Sequence, residues 1–287
     1  MTSKITRGIK ALLCAVASLP FLMAATEASA SDLMDRAKSD GLKVAFYNFI
    51  PYSYETESGE LTGTDVDTLN AVLAEMGGKI DTAQATEWGN LIPGLKAGRF
   101  DVVAAGMFVT PKRCGQVAFS EPIFGIQQTL IVPKGNPKGI KNYDDVASMG
   151  LTIATLSGSA HVGYAEASGI ESSKIMQIPD NPTAIAAMRG GRADVYALSV
   201  PGARELVSTV PEQDLEIVTP FNKVAGKLAM PHGAFAFRPE DAEFVKAFNK
   251  VLTARVKSGA HVDTLVAHGM QADELPLKST AELCAGK

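Results

Sequence analysis

The sequence predicts an α/β fold of two lobes, each a mostly parallel sheet flanked by helices. Short apolar runs alternate with helical stripes as β–α–β–α–β, which is the pattern of such a sheet. The turn GRFDV at residues 98–102 is echoed by GRADV at residues 191–195, each time ahead of an apolar run. Because the copies fall at equivalent places of two α/β units, two lobes of like construction explain them better than chance. A chain of 287 residues, 46% of them apolar, is long enough for two cores.

The first unit is predicted from apolar spacing. Val66, Leu69 and Val72 recur at helical spacing, and Gly77 follows as a stop signal. Val102 and Val103 lie in a short apolar run of the kind found in buried parallel strands. The predicted elements are a strand at 43–47, an aromatic-rich loop at 48–54, a helix at 65–78, strand residues near 80, a short helix at 91–98 and a strand at 101–105.

The second unit repeats this order, and a third stretch completes the chain. A Gly-, Pro- and Lys-rich turn at 134–141 separates the first two strands of the second unit. Near the end of the chain, Phe244, Phe248 and Leu252 predict an amphipathic helix. The predicted elements are strands at 129–132, 151–156 and 234–237, a strand from Val195 onward, and helices at 162–168, 184–189, 240–258 and 262–268.

The N-terminus is predicted to be a cleavable signal peptide, residues 1–30. Lys4, Arg7 and Lys10 precede an apolar run at 11–25, and Ala28-Ser29-Ala30 is a small-residue cleavage site. The protein is therefore expected to be secreted. Cleavage removes three basic residues and one acidic residue, so the net charge changes from −4 to −6. With no basic run, nucleic acid is excluded as a partner.

The stretch 98–122 carries the strongest candidate site. Gly106 allows a close approach of the backbone to a small molecule. Thr110 and Pro111 begin a helical turn, and Arg113 follows near the carboxyl end of the predicted strand. Open α/β sheets bind ligands at that end. A guanidinium there can hold a carboxylate through two parallel hydrogen bonds.

This stretch resembles the signature of the amino-acid-type periplasmic solute-binding proteins, the receptors of ABC importers. The motif Gly-x-x-x-Thr-x-x-Arg stands at 106–113, and Phe-Ser-Glu-Pro follows at 119–122. The resemblance implies the type II periplasmic-binding fold with two hinge crossings, near 123–128 and 221–233. Lobe 1 is then expected at 31–126 and 234–287, and lobe 2 at 127–233. It also implies a periplasmic monomer that delivers its ligand to the transmembrane subunits of an ABC permease.

Within this family the sequence resembles the ectoine- and hydroxyectoine-binding members in particular. The similarity runs through residues 88–114, 134–147 and 280–286. It implies a small zwitterionic carboxylate as the ligand, with Arg113 on the carboxylate and aromatic faces on the cation. Phe46 is expected in the core instead. The ligand-facing residues of the first lobe are predicted to be Phe49, Tyr52, Trp88, Gly106, Phe108 and Arg113.

The second lobe is expected to contribute Ser157, Ser159, Ala160, His161 and Ser199. His161 either contacts the ligand or only caps and packs. Ser199 stands where amino-acid receptors of the family have an aspartate for the α-ammonium group, so an ordinary α-amino acid is disfavoured. Phe49 and His161 stand where ectoine receptors have carboxylates. A betaine or a polar amino acid is therefore an alternative ligand.

Cys114 and Cys284 remain after signal cleavage. In an oxidising compartment, one disulfide between them is the simplest interpretation, and it would tie the C-terminal tail to the first lobe behind Arg113. Two independent thiols are the alternative.

The sequence contains no Gly-rich phosphate loop, metal-spaced His/Cys cluster or nucleophile elbow. No catalytic residue, cofactor or metal is therefore predicted. A periplasmic dehydratase of the same fold is an alternative of another class, since fold alone does not define function. A ligand-presenting partner of a membrane sensor is a further alternative, and it requires the same pocket.

Overall fold

The computed structural model describes residues 30–286. The predicted signal peptide, apart from Ala30, lies outside the described residues. Within them, no helix combines the length and the apolar character that a membrane span needs.

The first sheet contains five strands in the order β4-β1-β5-β16-β6. β1 is parallel to β4 and β5, whereas β16 is antiparallel to β5 and β6. The elements up to the end of this unit are β1 (Leu42–Phe46), β2 (Tyr54–Glu55), β3 (Leu61–Thr62), β4 (Ile80–Ala85), β5 (Val102–Val103), β6 (Ala118–Phe119) and β7 (Phe124–Gly125), with β16 at Ala236–Phe237.

The second sheet also contains five strands, in the order β10-β9-β11-β8-β12. β9, β10 and β11 run parallel, and β8 is antiparallel to β11 and β12. Both sheets are therefore mixed, although each has a parallel part as predicted. The remaining strands are β8 (Gln128–Pro133), β9 (Ile153–Leu156), β10 (Ile175–Ile178), β11 (Val195–Ser199), β12 (Leu215–Ile217), β13 (Lys223–Val224), β14 (Lys227–Leu228) and β15 (His232–Gly233).

Helices surround both sheets, which confirms the predicted α/β class. They are α1 (Ala30–Ser39), α2 (Thr64–Glu75), α3 (Leu91–Lys96), α4 (Pro111–Cys114), α5 (Tyr143–Ser148), α6 (Ala160–Ala167), α7 (Asn181–Arg189), α8 (Val200–Ser208), α9 (Ala242–Ser258), α10 (Ala260–Ala267) and α11 (Thr280–Cys284), with 3₁₀ turns at Trp88–Asn90, Ser172–Lys174 and Pro239–Asp241.

The structure differs from the predicted elements mainly at their ends. The predicted strand at 101–105 is regular only at Val102–Val103, because the chain leaves the sheet toward Gly106, whose φ is +63°. α6 begins two residues earlier than predicted, since Ser159 is its N-cap. Helices α1, α5, α8 and α11 were not predicted.

The chain crosses between the sheets twice. It leaves the first sheet after β6 and enters the second at β8, and it returns between β12 and β16. The two crossing segments pair with each other, since β7 and β15 form an antiparallel ladder. A bridge between Gln128 and Phe221 joins them again. This pairing holds the two crossings side by side, as a hinge requires. The boundaries 31–126, 127–233 and 234–287 remain a proposal.

The interior is apolar on both sides of the crossings. Phe235, Phe237, Phe244 and Phe248 are fully buried and pack ring against ring between β16 and α9. Phe46 is also fully buried, as predicted for a core residue. A smaller cluster around Tyr143 lies on one face of the second sheet.

The disulfide between Cys114 and Cys284 is present and joins α4 to α11. It closes a loop with a sequence separation of 170 residues. The tail has further anchors, because the Thr280 amide donates to Glu121 Oε2 and the Thr280 hydroxyl to the Ser120 carbonyl. The predicted link between the tail and the region behind Arg113 is confirmed.

We expect reduction of this disulfide to lower the free energy of unfolding by about 2–5 kcal/mol, because a long loop gains entropy in the unfolded chain. The measurement is thermal unfolding with and without a phosphine reductant. The Cys114→Ser/Cys284→Ser variant is the control, since its melting temperature should not respond to the reductant. A wild-type protein that melts at the same temperature in both conditions would contradict the expectation.

Candidate functional site

A small cavity lies between the two sheets, with a volume of about 30 Å³. We call it the inner cavity. Nine of the eleven predicted ligand residues line it, together with Ala105, Leu156 and Leu198. The nine are Phe49, Tyr52, Trp88, Gly106, Phe108, Ser159, Ala160, His161 and Ser199.

Tyr52 and Phe49 come from the loop after β1 and reach the second lobe. The hydroxyl oxygens of Tyr52 and Ser199 are 2.7 Å apart, and both side chains are buried. The ring of Phe49 fills the space beside Gly202 of α8, where an added Cβ would lie 2.3 Å from Phe49 Cζ. These two contacts hold the lobes against each other at one side of the inner cavity.

Gly106 is held in place by a buried carboxylate that sequence reasoning missed. Asp65, in the first turn of α2, accepts a hydrogen bond from the Gly106 amide at 2.7 Å and one from the Thr64 hydroxyl at 3.2 Å. A Cβ at residue 106 would lie 2.7 Å from the ring of Tyr52. Burial raises the pKa of Asp65 from 3.8 to about 7, although its backbone hydrogen bonds oppose this. Asp65 thus positions the loop that carries Gly106 and Phe108.

Asp65 should make stability pH-dependent. Between about pH 4 and 7 the folded protein keeps a proton on Asp65 that the unfolded chain has lost. This group's contribution to the free energy of unfolding therefore falls as the pH rises through that window. Asp65→Asn removes that contribution. The stability of the variant relative to wild type should rise by on the order of 1 kcal/mol per pH unit there, as measured by urea unfolding.

Taking the difference in the free energy of unfolding between Asp65→Asn and wild type cancels the contributions of the other titrating groups, which both proteins share. His161 has the opposite effect, because its lowered pKa makes the unfolded chain hold the extra proton between about pH 3 and 6.5. A difference between Asp65→Asn and wild type that stays constant across the window would show that Asp65 does not titrate there.

Arg113 is 7% exposed and lies over Trp88, but it is not among the residues that line the inner cavity. Thr110, the N-cap of α4, accepts a hydrogen bond from the Arg113 amide. The guanidinium donates to the Phe108 carbonyl at 2.8 Å and, across the lobes, to the Gly158 carbonyl at 3.1 Å. Its carbon is 5.7 Å from the centre of the Trp88 ring. Burial lowers the pKa of Arg113 to about 10, so it stays charged at neutral pH.

The second lobe presents the start of α6 to the cavity. Ser159 occupies the N-cap position of this helix, but its buried hydroxyl makes no capping bond and has no hydrogen-bond partner among the described residues. Helix N-termini favour anions, because their first amides lack partners within the helix. His161 packs edge-on against Phe108, and its Nδ1 is 3.1 Å from the Tyr143 hydroxyl. Burial, with a smaller effect of Arg113, lowers the pKa of His161 to about 3. The imidazole is therefore neutral at neutral pH.

Sequence reasoning also missed two buried polar side chains behind Ser199. Gln128 is paired with Ser199 in the β8–β11 ladder, so the two side chains share one face of the sheet. The amide of Gln128 and the hydroxyl of Thr155 have no hydrogen-bond partner among the described residues. The only sequence feature that pointed to a role for Gln128 was its position in the predicted hinge crossing.

Ser157 is placed differently from its neighbours. It is exposed, and its hydroxyl is 3.5 Å from Gln177 Oε1. It is not among the residues that line the inner cavity. Its assignment to the ligand site stays a prediction from resemblance. Within residues 30–286, the structure contains no group of three or more His, Cys, Asp or Glu side chains that could hold a metal ion.

Two α/β lobes, joined by paired crossings and enclosing an arginine and aromatic rings, define a solute receptor of the type II periplasmic-binding fold. The chain matches the bacterial extracellular solute-binding proteins, family 3, over residues 42–265, and it belongs to that family. It is thus a solute-binding protein of an amino-acid-type ABC transporter.

Individual relatives agree with this assignment. A probable amino-acid ABC transporter periplasmic-binding protein of Sinorhizobium fredii is 34% identical over 276 residues, which cover 94% of this chain and 91% of the relative. The crystal structure of EhuB in complex with hydroxyectoine is similar with a TM-score of 0.81 and 28% identity, covering 91% of this chain and 99% of that one.

One relative is an enzyme. Cyclohexadienyl dehydratase of Pseudomonas aeruginosa is 26% identical over 219 residues, which cover 73% of this chain and 81% of the relative. Other relatives are binding proteins, such as the lysine/arginine/ornithine-binding periplasmic protein of Escherichia coli, 26% identical over 218 residues, which cover 74% of this chain and 81% of the relative.

Proposed function

We propose that this protein captures a small zwitterionic carboxylate of the ectoine or hydroxyectoine kind between its lobes. The single observation that carries the proposal is the pairing of Arg113 with an aromatic cavity that has no acidic side chain among its described lining residues. The similarity to EhuB with hydroxyectoine supports the same ligand class.

The carboxylate end of the ligand is assigned to Arg113 and the start of α6. Arg113 and Ser159 approach from different lobes, and Arg113 already contacts Gly158, next to Ser159. The unpartnered Ser159 hydroxyl and the positive end of the helix both favour an anion. A carboxylate bound here would join the lobes through charge-assisted hydrogen bonds.

The cationic end is assigned to the aromatic side chains. With no carboxylate in the lining, a cation must be held by the ring faces of Phe49, Trp88 and Phe108 or by hydroxyls. Cation–π attraction suits a delocalised or methylated cation better than a small, strongly hydrated ammonium. Ser199, already in contact with Tyr52, offers a hydroxyl where an α-ammonium group would need a carboxylate.

A betaine or a polar amino acid is the alternative ligand. The description of the Sinorhizobium fredii relative as a probable amino-acid ABC transporter binding protein favours the amino acid.

The dehydratase relative supports a second candidate function. His161 is the one ionisable side chain other than Tyr52 in the described lining of the inner cavity, and a pKa near 3 makes it a poor general base. We therefore favour binding without turnover.

The predicted export signal bears on where the protein works and with which partner. We propose that residues 1–30 are a cleavable signal peptide, that the receptor works in the periplasm as a monomer, and that its partner is an ABC permease. Its periplasmic relatives and the predicted export signal support this location.

The test is a thermal-shift panel on residues 31–287 with ectoine, hydroxyectoine, glycine betaine, proline and the standard amino acids. A ligand that binds only the folded protein raises the melting temperature, by an amount set by its concentration relative to Kd. A shift with ectoines supports the proposal, and a shift with amino acids alone contradicts it in favour of the alternative.

Incubation with prephenate and arogenate, followed by chromatography, tests the dehydratase function. Product formation would contradict a receptor without turnover.

A further inference from the structure

A second, larger cavity of about 950 Å³ lies outside Arg113, and we call it the outer groove. It shares Ser159 and Ala160 with the inner cavity. Arg113 lines the groove and Trp88 lines the inner cavity. The guanidinium of Arg113 lies over the ring of Trp88. The two spaces therefore meet at Ser159 and Ala160, and Arg113 lies beside this junction.

The charges around the outer groove are opposite in sign to those of the chain as a whole. Among its described lining residues, Lys112, Arg113, Lys227 and Lys278 are basic and Glu166 is acidic. The whole chain carries a net charge of −4. Local enrichment of basic side chains on an acidic protein creates a positive field where the surroundings are negative.

The basic side chains come from three separate segments. Lys112 and Arg113 lie on α4, Lys227 on the β13–β14 hairpin of the second lobe, and Lys278 on the C-terminal tail. The Debye length at physiological salt is about 8–10 Å. Lys112 is next to Arg113 in the chain, so its field reaches the guanidinium, and the other two lysines line the same groove.

We propose that the outer groove is the entrance through which the ligand reaches the inner cavity, and that it concentrates small organic anions beside Arg113. A carboxylate attracted there meets a guanidinium that can exchange its contact with the Gly158 carbonyl for the ligand. The entrance thereby selects the carboxylate end of the ligand first. This role builds on the proposed ligand class, but the positive field itself can be measured without any ligand.

Trp88 is a built-in probe of that field, because it is the only tryptophan of the chain. It is partly buried, and the exposed acidic side chain of Glu87 precedes it. Quenching of its fluorescence by iodide, caesium and acrylamide reports the local concentration of an anion, a cation and a neutral molecule. Each quenching constant is divided by that of N-acetyltryptophanamide, which removes the intrinsic difference between quenchers.

For the wild type at about 0.1 M total salt, we expect the normalised iodide constant to exceed the caesium constant about two-fold or more, despite Glu87 and the acidic chain. The difference should shrink at high salt. The Lys112→Gln/Lys227→Gln variant should lose most of the iodide preference and keep the acrylamide constant. Both side chains are exposed, so this variant should fold.

The matched control is Lys246→Gln/Lys250→Gln on α9, which removes the same charge from exposed positions that do not line the groove. Equal iodide and caesium constants in the wild type would overturn the inference. The same loss of iodide quenching in both double variants would also overturn it, because net charge and not the groove would then be responsible. If no ligand of the panel raises the melting temperature but iodide quenching is clearly preferred, the proposed ligand is contradicted and the anion-concentrating groove is supported.

Discussion

Arg113→Ala is expected to weaken ligand binding at least about 100-fold, because hydrogen bonds to a charged group contribute about 1.5–3 kcal/mol each and two would be lost. The side chain is buried between Phe108, Gly158 and Trp88, so water cannot replace it easily. The affinity of Arg113→Lys should lie between those of the wild type and Arg113→Ala, since a lysine keeps the charge but not the planar pair of donors. Isothermal titration with the ligand that gives the largest thermal shift measures all three proteins.

The fold should survive this substitution. Within residues 30–286 Arg113 hydrogen-bonds to backbone carbonyls and forms no ion pair with an acidic side chain, so its removal leaves no unpaired buried charge. Arg189→Ala is the matched control, because Arg189 forms an ion pair with Asp214 on the surface of the second lobe. Far-ultraviolet circular dichroism should be the same for both variants. Retained affinity in Arg113→Ala would refute the assignment of the carboxylate to this residue.

Gly202→Ala is expected to keep the lobes from closing fully and to weaken binding about ten-fold or more. The added Cβ would lie 2.3 Å from Phe49 Cζ, across the gap between the lobes. Overpacking of this kind costs about 1–3 kcal/mol, which corresponds to a factor of about ten per 1.4 kcal/mol in affinity. Small-angle scattering of the ligand-bound protein should show a larger radius of gyration than wild type.

Two further variants isolate the contact. Gly163→Ala is a second helical glycine of the same lobe, and its Cβ would meet no atom within 4 Å. It should bind and close like wild type, since both changes improve helix propensity equally. The lobes of Phe49→Ala/Gly202→Ala should close fully again, because the Phe49 ring that the new Cβ would meet is no longer present. A wild-type radius of gyration for the bound Gly202→Ala protein would show that Phe49 moves aside at little cost.

Local patterns were sufficient to predict most of the fold. The spacing of apolar residues predicted α2 and α9, and the two GR-x-DV turns predicted two similar units, because periodicity reports which face of an element is buried. The same local signals could not show that β8 and β16 run antiparallel to their neighbours. Strand direction depends on where the chain returns after a crossing, and that is a property of the whole path.

The candidate site divides in the same way. Trp88, Phe108, Arg113 and Ser159 were predicted as ligand residues from motif context. Asp65 was missed, because an acid in the first turn of a helix is an ordinary capping feature in sequence and only tertiary packing buries it behind Gly106. Gln128 was missed because its pairing with Ser199 across two strands is decided only in the folded sheet.

Sequence alone was enough to establish the family-like motif and the pair of cysteines available for a disulfide, and to predict which residues line the inner cavity. Tertiary structure was needed to show that Ser157 does not line the inner cavity, that Phe49 meets Gly202, and that lysines from distant segments line one groove. These features depend on the distances between segments far apart in the chain. Such distances are set by how the two lobes pack against each other, which no local pattern of residues records.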